Sequence, residues 1–233
     1  MGRGGGKGIA NRGAAIRSAA GAKDYKQLGQ YMLSEFGMNI ADDVEKNIPF
    51  EIARKCCEDF DDVRREFGSG VSLMAIDVKL IEGNLPKVFN NSYAAAGQHE
   101  LFMSKKLLGD LESLKKMYED DVAGRYHPDG TTYENIMTHE VGHLITFELA
   151  RKAGKPFRQF SEDVVSRALS RAVAQEGGGA AGPSDYFRLA GAISDYEKKN
   201  PGETIAEAYA DYRANGSNAN RLSQHIMKVL KEV

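Results

Sequence analysis

The sequence predicts an α+β protein, with helices at both ends of the chain and a small, mostly antiparallel sheet ahead of a central helix. Three observations carry that expectation. Apolar residues recur at three- and four-residue intervals between 24 and 67, and again from 107 onward. Between these stretches, short apolar runs separated by Gly, Asn and Pro occupy 71–103. The central helix carries His139-Glu140-Val141-Gly142-His143, and a second helix rich in carboxylates follows well downstream.

At 233 residues the chain is long enough to bury a real core. It divides into a tail (1–23), a helical preamble (24–67) and a main domain (68–233). The tail is rich in Gly and Ala and holds Arg3, Lys7, Arg12, Arg17 and Lys23 with no acid before Asp24. It reads as a disordered basic segment, with weak contact to nucleic acid or an acidic partner as the functional alternative. Arg12, Gly13 and Arg17 interrupt any apolar core a signal peptide would need. No stretch is long and apolar enough for a membrane span, so the expectation is a cytoplasmic or virion-associated protein without membrane contact. The formal charge of −2 argues against a dedicated nucleic-acid binder. Cys56 and Cys57 are adjacent in a helical stretch and read as core filling rather than a disulfide.

In the preamble, Tyr25, Leu28, Tyr31, Met32 and Phe36 form one helical stripe, which Gly37 ends. Pro49 suits the first turn of the next helix, with Ala53, Cys56, Phe60, Val63 and Phe67 on its apolar side. Gly68 to Gly70 is a turn. Strands are expected over 71–78, 92–96 and 100–103, and a helix over 107–118. His99 and His127 precede the motif and read as hydrogen-bonded structural histidines rather than ligands.

Asp129 to Thr132 reads as a turn feeding an N-cap, with Thr131 and Glu134 spaced as a capping box. Tyr133, Ile136, Met137, Val141, Leu144, Ile145 and Leu149 then keep helical period, and Gly154 and Pro156 close the segment. On that helix His139 and His143 lie one turn apart and can offer imidazole nitrogens to one ion. Glu140 sits beside them, where a carboxylate can take a proton from a water on the ion. Two nitrogens, one oxygen from elsewhere and an open fourth position describe a catalytic zinc site rather than a structural one. The bland alternative is an amphipathic helix with two solvated histidines.

A further helix is expected over 160–174. The Gly-rich 177–183 segment reads as a surface linker, with a mobile flap as the alternative. The third ligand should come from Glu203-Thr204-Ile205-Ala206-Glu207-Ala208-Tyr209. Glu203 and Glu207 share a helix face. Two carboxylates turned toward a buried position are costly without a cation. One could ligate the metal while the other holds a ligating histidine from behind. Small residues at 206, 208 and 210 would let this helix approach another backbone closely.

His139-Glu140-Val141-Gly142-His143 together with Glu203-Thr204-Ile205-Ala206-Glu207-Ala208-Tyr209 resembles the gluzincin metallopeptidases of the anthrax lethal factor-like group, which includes the Pro-Pro endopeptidases. The resemblance covers about the last hundred residues, in two blocks with their order kept. It implies a zincin-like fold, with the motif helix beneath the sheet and a C-terminal helical subdomain bringing in Glu203. It implies Zn2+ held by His139, His143 and Glu203, with Glu140 as general base. It also implies that Tyr196, seven residues before Glu203, assists catalysis by donating to the oxyanion. Glu207 would orient a histidine. The expected activity is zinc-dependent endopeptidase cleavage of a protein or peptide substrate. Asn215 to Ser223 resembles, more loosely, metallopeptidase-like segments of phage head and minor capsid proteins. The alternative it implies is a virion-associated or head-assembly protein that keeps the fold for structure, with phage structural proteins as partners.

Overall fold

The structure, a computed structural model, describes residues 16–68, 73, 77–195 and 200–233. Helices dominate. In the N-terminal third, α1 (Tyr25–Phe36), α2 (Asp42–Asn47) and α3 (Phe50–Phe67) surround a two-residue strand, β1 (Asn39–Ile40). Asp24 caps α1 by accepting from the Gln27 amide, and Gly37 closes it at φ 65°, a left-handed conformation that suits glycine. Pro49 precedes the first residue of α3.

The sheet has the order β1-β2-β4-β3, with β2 at Asp77–Leu80, β3 at Ala94–Ala96 and β4 at Glu100–Met103. β1 pairs parallel to β2 (Asn39 opposite Asp77), and β2 pairs parallel to β4 (Asp77 opposite Glu100). Only β3 and β4 are antiparallel, with Ala95 opposite Phe102. The sheet is therefore mixed, not mostly antiparallel as the sequence suggests. Only β3 and β4 are joined by a turn tight enough for a hairpin. β1 reaches β2 through two helices, and β2 reaches β4 through the β3 segment; long crossovers bring strands back in parallel. Of the strand expected over 71–78, the structure shows Asp77 and Val78 in β2. Residues 71, 72 and 74–76 lie outside the described residues.

The helix expected over 107–118 is two helices, α4 (Lys105–Leu108) and α5 (Leu111–Ala123). Asp110 separates them because its carboxylate accepts the Ser113 amide at 2.8 Å and caps α5. α6 (Ile136–Lys152) is the motif helix, and α7 (Phe157–Gln175) follows it. The Gly-rich segment ends where α8 (Pro183–Ala190) begins. α9 (Pro201–Asn215) and α10 (Arg221–Leu230) complete the chain. No helix among the described residues is long and apolar enough to cross a membrane.

α6 is central: β3, α3, α7 and α9 all pack on it, and α10 packs on α7 and α9. One continuous apolar core joins Phe60 and Val63 of α3 to Val141 and Ile145 of α6 and to Ile205 and Tyr209 of α9. The preamble thus shares its core with the main domain and adds an edge strand to its sheet. Cys56 and Cys57 are free, and both are buried.

Candidate metal centre

The capping box lies one residue later than the sequence suggests, on the 3-10 turn that precedes α6. Thr132, not Thr131, is the cap, and its partner is Asn135, whose Oδ1 accepts the Thr132 amide at 3.0 Å. Thr131 is buried and donates its hydroxyl to the Pro128 carbonyl at 2.7 Å. A short 3-10 turn, Tyr133–Asn135, then leads into α6. One residue before the motif, Thr138 donates to Asp59 Oδ1 of α3 at 2.8 Å. That bond ties the first turn of α6 to the preamble.

His139 and His143 stand one turn apart, with ring centroids 4.9 Å apart at 80°. α9 crosses behind them at close range. A Cβ on Gly142 would lie 2.9 Å from the Cα of Ala206 and 3.3 Å from the Cβ of Tyr209. A glycine facing a small residue is what lets the two backbones approach this closely. Asn200 caps α9, accepting the amides of Gly202 at 2.9 Å and Glu203 at 3.1 Å. This puts Glu203 in the first turn, where the helix end favours a carboxylate.

The result is a cluster of three ligand atoms. Glu203 Oε2 is 3.3 Å from His139 Nε2 and 3.5 Å from His143 Nε2. One atom from each residue lies within 4.8 Å of the others. Around a tetrahedral ion with bonds of about 2.0–2.2 Å, neighbouring ligand atoms are about 3.3–3.6 Å apart, so both distances suit a shared ion. Two imidazole nitrogens and one carboxylate oxygen also suit a late first-row divalent ion better than Mg2+ or Ca2+. His139, His143 and Glu203 can therefore hold a metal.

Glu207, one turn along α9, reaches the other face of the same ring: its Oε1 is 2.8 Å from His139 Nδ1. Of the two carboxylates left open by spacing alone, Glu203 faces the converging nitrogens and Glu207 stands behind. Glu207 is almost fully buried, and burial alone would raise its pKa. The imidazoles of His139 and His127 outweigh burial and hold it down at about 2. Burial likewise acts against Glu203, but His139 and His143 keep its carboxyl far below the usual range. Burial pushes His139 down, whereas Glu207 and Glu203 together carry it well above its ordinary value. The cluster is a trap for positive charge. Glu140 goes the other way: burial pushes its carboxyl up, against the pull of His139 and His143.

A cavity of about 280 Å3 opens beside the triad, and His139, Glu140 and Glu207 form part of its wall. His127 lines it too. His127 is not one of the three converging residues. Its ring stacks on Tyr118 at 4.5 Å and 5°, with Nδ1 3.8 Å from Glu207 Oε1. His99 is exposed. Tyr196 lies outside the described residues. Sequence reading passed over Thr138 and its partner Asp59, the role of Gly142 and the tyrosine wall of the cavity. Only Gly142 left a local signal, a glycine inside a helix whose expected partner is rich in small residues.

Comparison with protein families, with curated proteins and with solved structures finds no match to this chain.

Proposed function

We propose that the protein is a zinc-dependent endopeptidase. The observation that carries this reading is the convergence of His139, His143 and Glu203, with Glu140 on the wall of the adjoining cavity and Glu207 behind His139. The resemblance of the two sequence blocks to lethal factor-like gluzincins supports it. A zinc ion bound by the triad supplies Lewis acidity and brings the pKa of water toward about 7.

The rest of the chemistry belongs to the chain. Glu140 takes the proton of the attacking water and returns it to the leaving amine. Burial raises its carboxyl above the ordinary value, and a carboxylate that holds a proton more tightly is the stronger base. Glu207 fixes the His139 ring so that Nε2 points toward Glu203. Tyr196, through the resemblance, donates a hydrogen bond to the developing oxyanion. β3 is an outer strand of the sheet, on the edge opposite β1, and packs on α6. Its edge away from β4 is suited to pairing with an extended peptide laid across the site.

The test is incubation of the zinc-loaded protein with a peptide library beside Glu140→Gln. Wild type should cut and the variant should retain zinc while losing at least about 100-fold in kcat, the scale of one acid-base group. Equal cutting by both would remove Glu140 from the mechanism. Metal binding with no turnover on any peptide would leave the alternative, a structural role among phage head proteins.

A further inference from the structure

We propose that the cavity beside the triad is a subsite for a cationic substrate side chain, arginine or lysine, with Asp121 as its charge partner. The proposal rests on the endopeptidase reading and names the substrate class of that site.

The C-terminal turn of α5 forms one rim of the cavity. Asp120 and Asp121 sit there with no basic residue in that turn. Carboxylates at a helix C-terminus meet the negative end of the helix dipole and cost α5 stability. Asp121 is nevertheless kept in one orientation, half-buried, because Tyr93 donates to its Oδ2 at 2.7 Å. No other side-chain hydrogen bond to Asp121 is found among the described residues. A carboxylate that opposes its own helix and is held in place by a tyrosine is arranged to serve something outside the helix.

The walls say what that something is. Asp121, Tyr93 and Tyr126 line the same cavity as Glu140, and among the described residues no lysine or arginine lines it. Tyr93 packs against Tyr118 at 6.0 Å and against His127 at 6.1 Å, so one side of the cavity is a cluster of aromatic rings. Tyr126 is largely exposed. Aromatic faces with a carboxylate among them attract a guanidinium or ammonium group and its apolar stem, and repel an acid. The cavity, about 280 Å3, has room for a long side chain. A divalent ion held by His139, His143 and Glu203 would match the charges of Glu203 and Glu207. Asp121 stands apart from that cluster and leaves the cavity a net attraction for a cation.

The experiment reads binding apart from hydrolysis. The full chain is titrated with Nα-acetyl-arginine methylamide, the neutral isostere Nα-acetyl-citrulline methylamide and Nα-acetyl-norleucine methylamide, following tyrosine and histidine ring signals by NMR. The arginine derivative should bind at least about tenfold tighter than the other two, as a charge-assisted bond requires. Asp121→Asn, whose amide oxygen can still accept from Tyr93, should bring arginine and citrulline together. Equal binding of the two by wild type, or none of either, overturns the proposal. Should Asp121→Asn fail to fold, Tyr93→Phe keeps the ring but removes the bond that orients the carboxylate, so the arginine advantage should shrink, and an advantage undiminished in that variant overturns it equally. Cleavage separates the two readings. Cutting with no preference for a basic residue beside the scissile bond removes the subsite and keeps the peptidase. Arginine-selective binding with no cutting keeps the subsite and removes the peptidase.

Discussion

Glu203 and Glu207 are one helical turn apart on α9 and approach opposite nitrogens of the same imidazole. Their loss should therefore be felt differently. Glu203→Ala removes a ligand atom and should abolish most zinc affinity. Glu207→Ala leaves three ligands but frees the His139 ring, a change of about 10- to 100-fold in affinity where comparable supports have been removed. Competition with a chromogenic chelator measures both on one scale. The reverse order of losses would exchange the two roles. The pair was legible in the sequence because a four-residue spacing on a helix is a local property. Which carboxylate meets the converging nitrogens was not legible from spacing, since that depends on the depth at which α9 crosses α6; only the resemblance pointed to Glu203.

At the scale of the element, the crossing of α6 and α9 is what turns two motifs into one site. Its closest point is Gly142 against Ala206. Gly142→Ala would place a Cβ 2.9 Å from a backbone atom that cannot move alone. The helices must then separate, at a cost of about 1–3 kcal/mol, and Glu203 must retreat from His139 and His143. Zinc affinity and melting temperature should fall together. Gly29, inside α1 with open space around its Cβ position, is the control: Gly29→Ala should gain about 0.5–1 kcal/mol and leave zinc affinity unchanged. Zinc binding by Gly142→Ala at wild-type strength would show that the crossing does not set the ligand geometry. Elements built from local signals, such as α1, α3 and α6, follow the sequence pattern within a few residues. The sheet does not, because β1–β2 and β2–β4 pairing depends on crossovers that no local periodicity encodes. The break between α4 and α5 was readable in principle, since Gly109-Asp110 is a helix stop followed by a cap.

At the scale of the whole molecule, the preamble and the motif helix are one body. Asp62 of α3 pairs with Arg213 of α9, and Asp59 accepts from Thr138, 79 residues away in sequence. A contact that distant leaves no trace in spacing. Asp59 is buried, and burial raises its carboxyl to about 8 despite the favourable bond from Thr138. In the unfolded chain the same group titrates near about 4. Between these values the folded protein holds a proton that the unfolded chain has released. Stability from this group is thus full below pH about 4, falls as pH rises toward about 8 and is flat above, a loss on the order of 5 kcal/mol at most. Asn at position 59 keeps an acceptor for Thr138 and cannot titrate. Urea midpoints of wild type and Asp59→Asn, both in chelator so that metal does not contribute, should therefore diverge with pH. The variant's advantage should be greater at pH 9 than at pH 5. His139, Glu203 and Glu207 titrate in both proteins and cancel in the difference. A difference that stays constant from pH 5 to pH 9 would mean that Asp59 is ionised in the fold. The joint between preamble and motif helix would then be a charged hydrogen bond, insensitive to pH in this range.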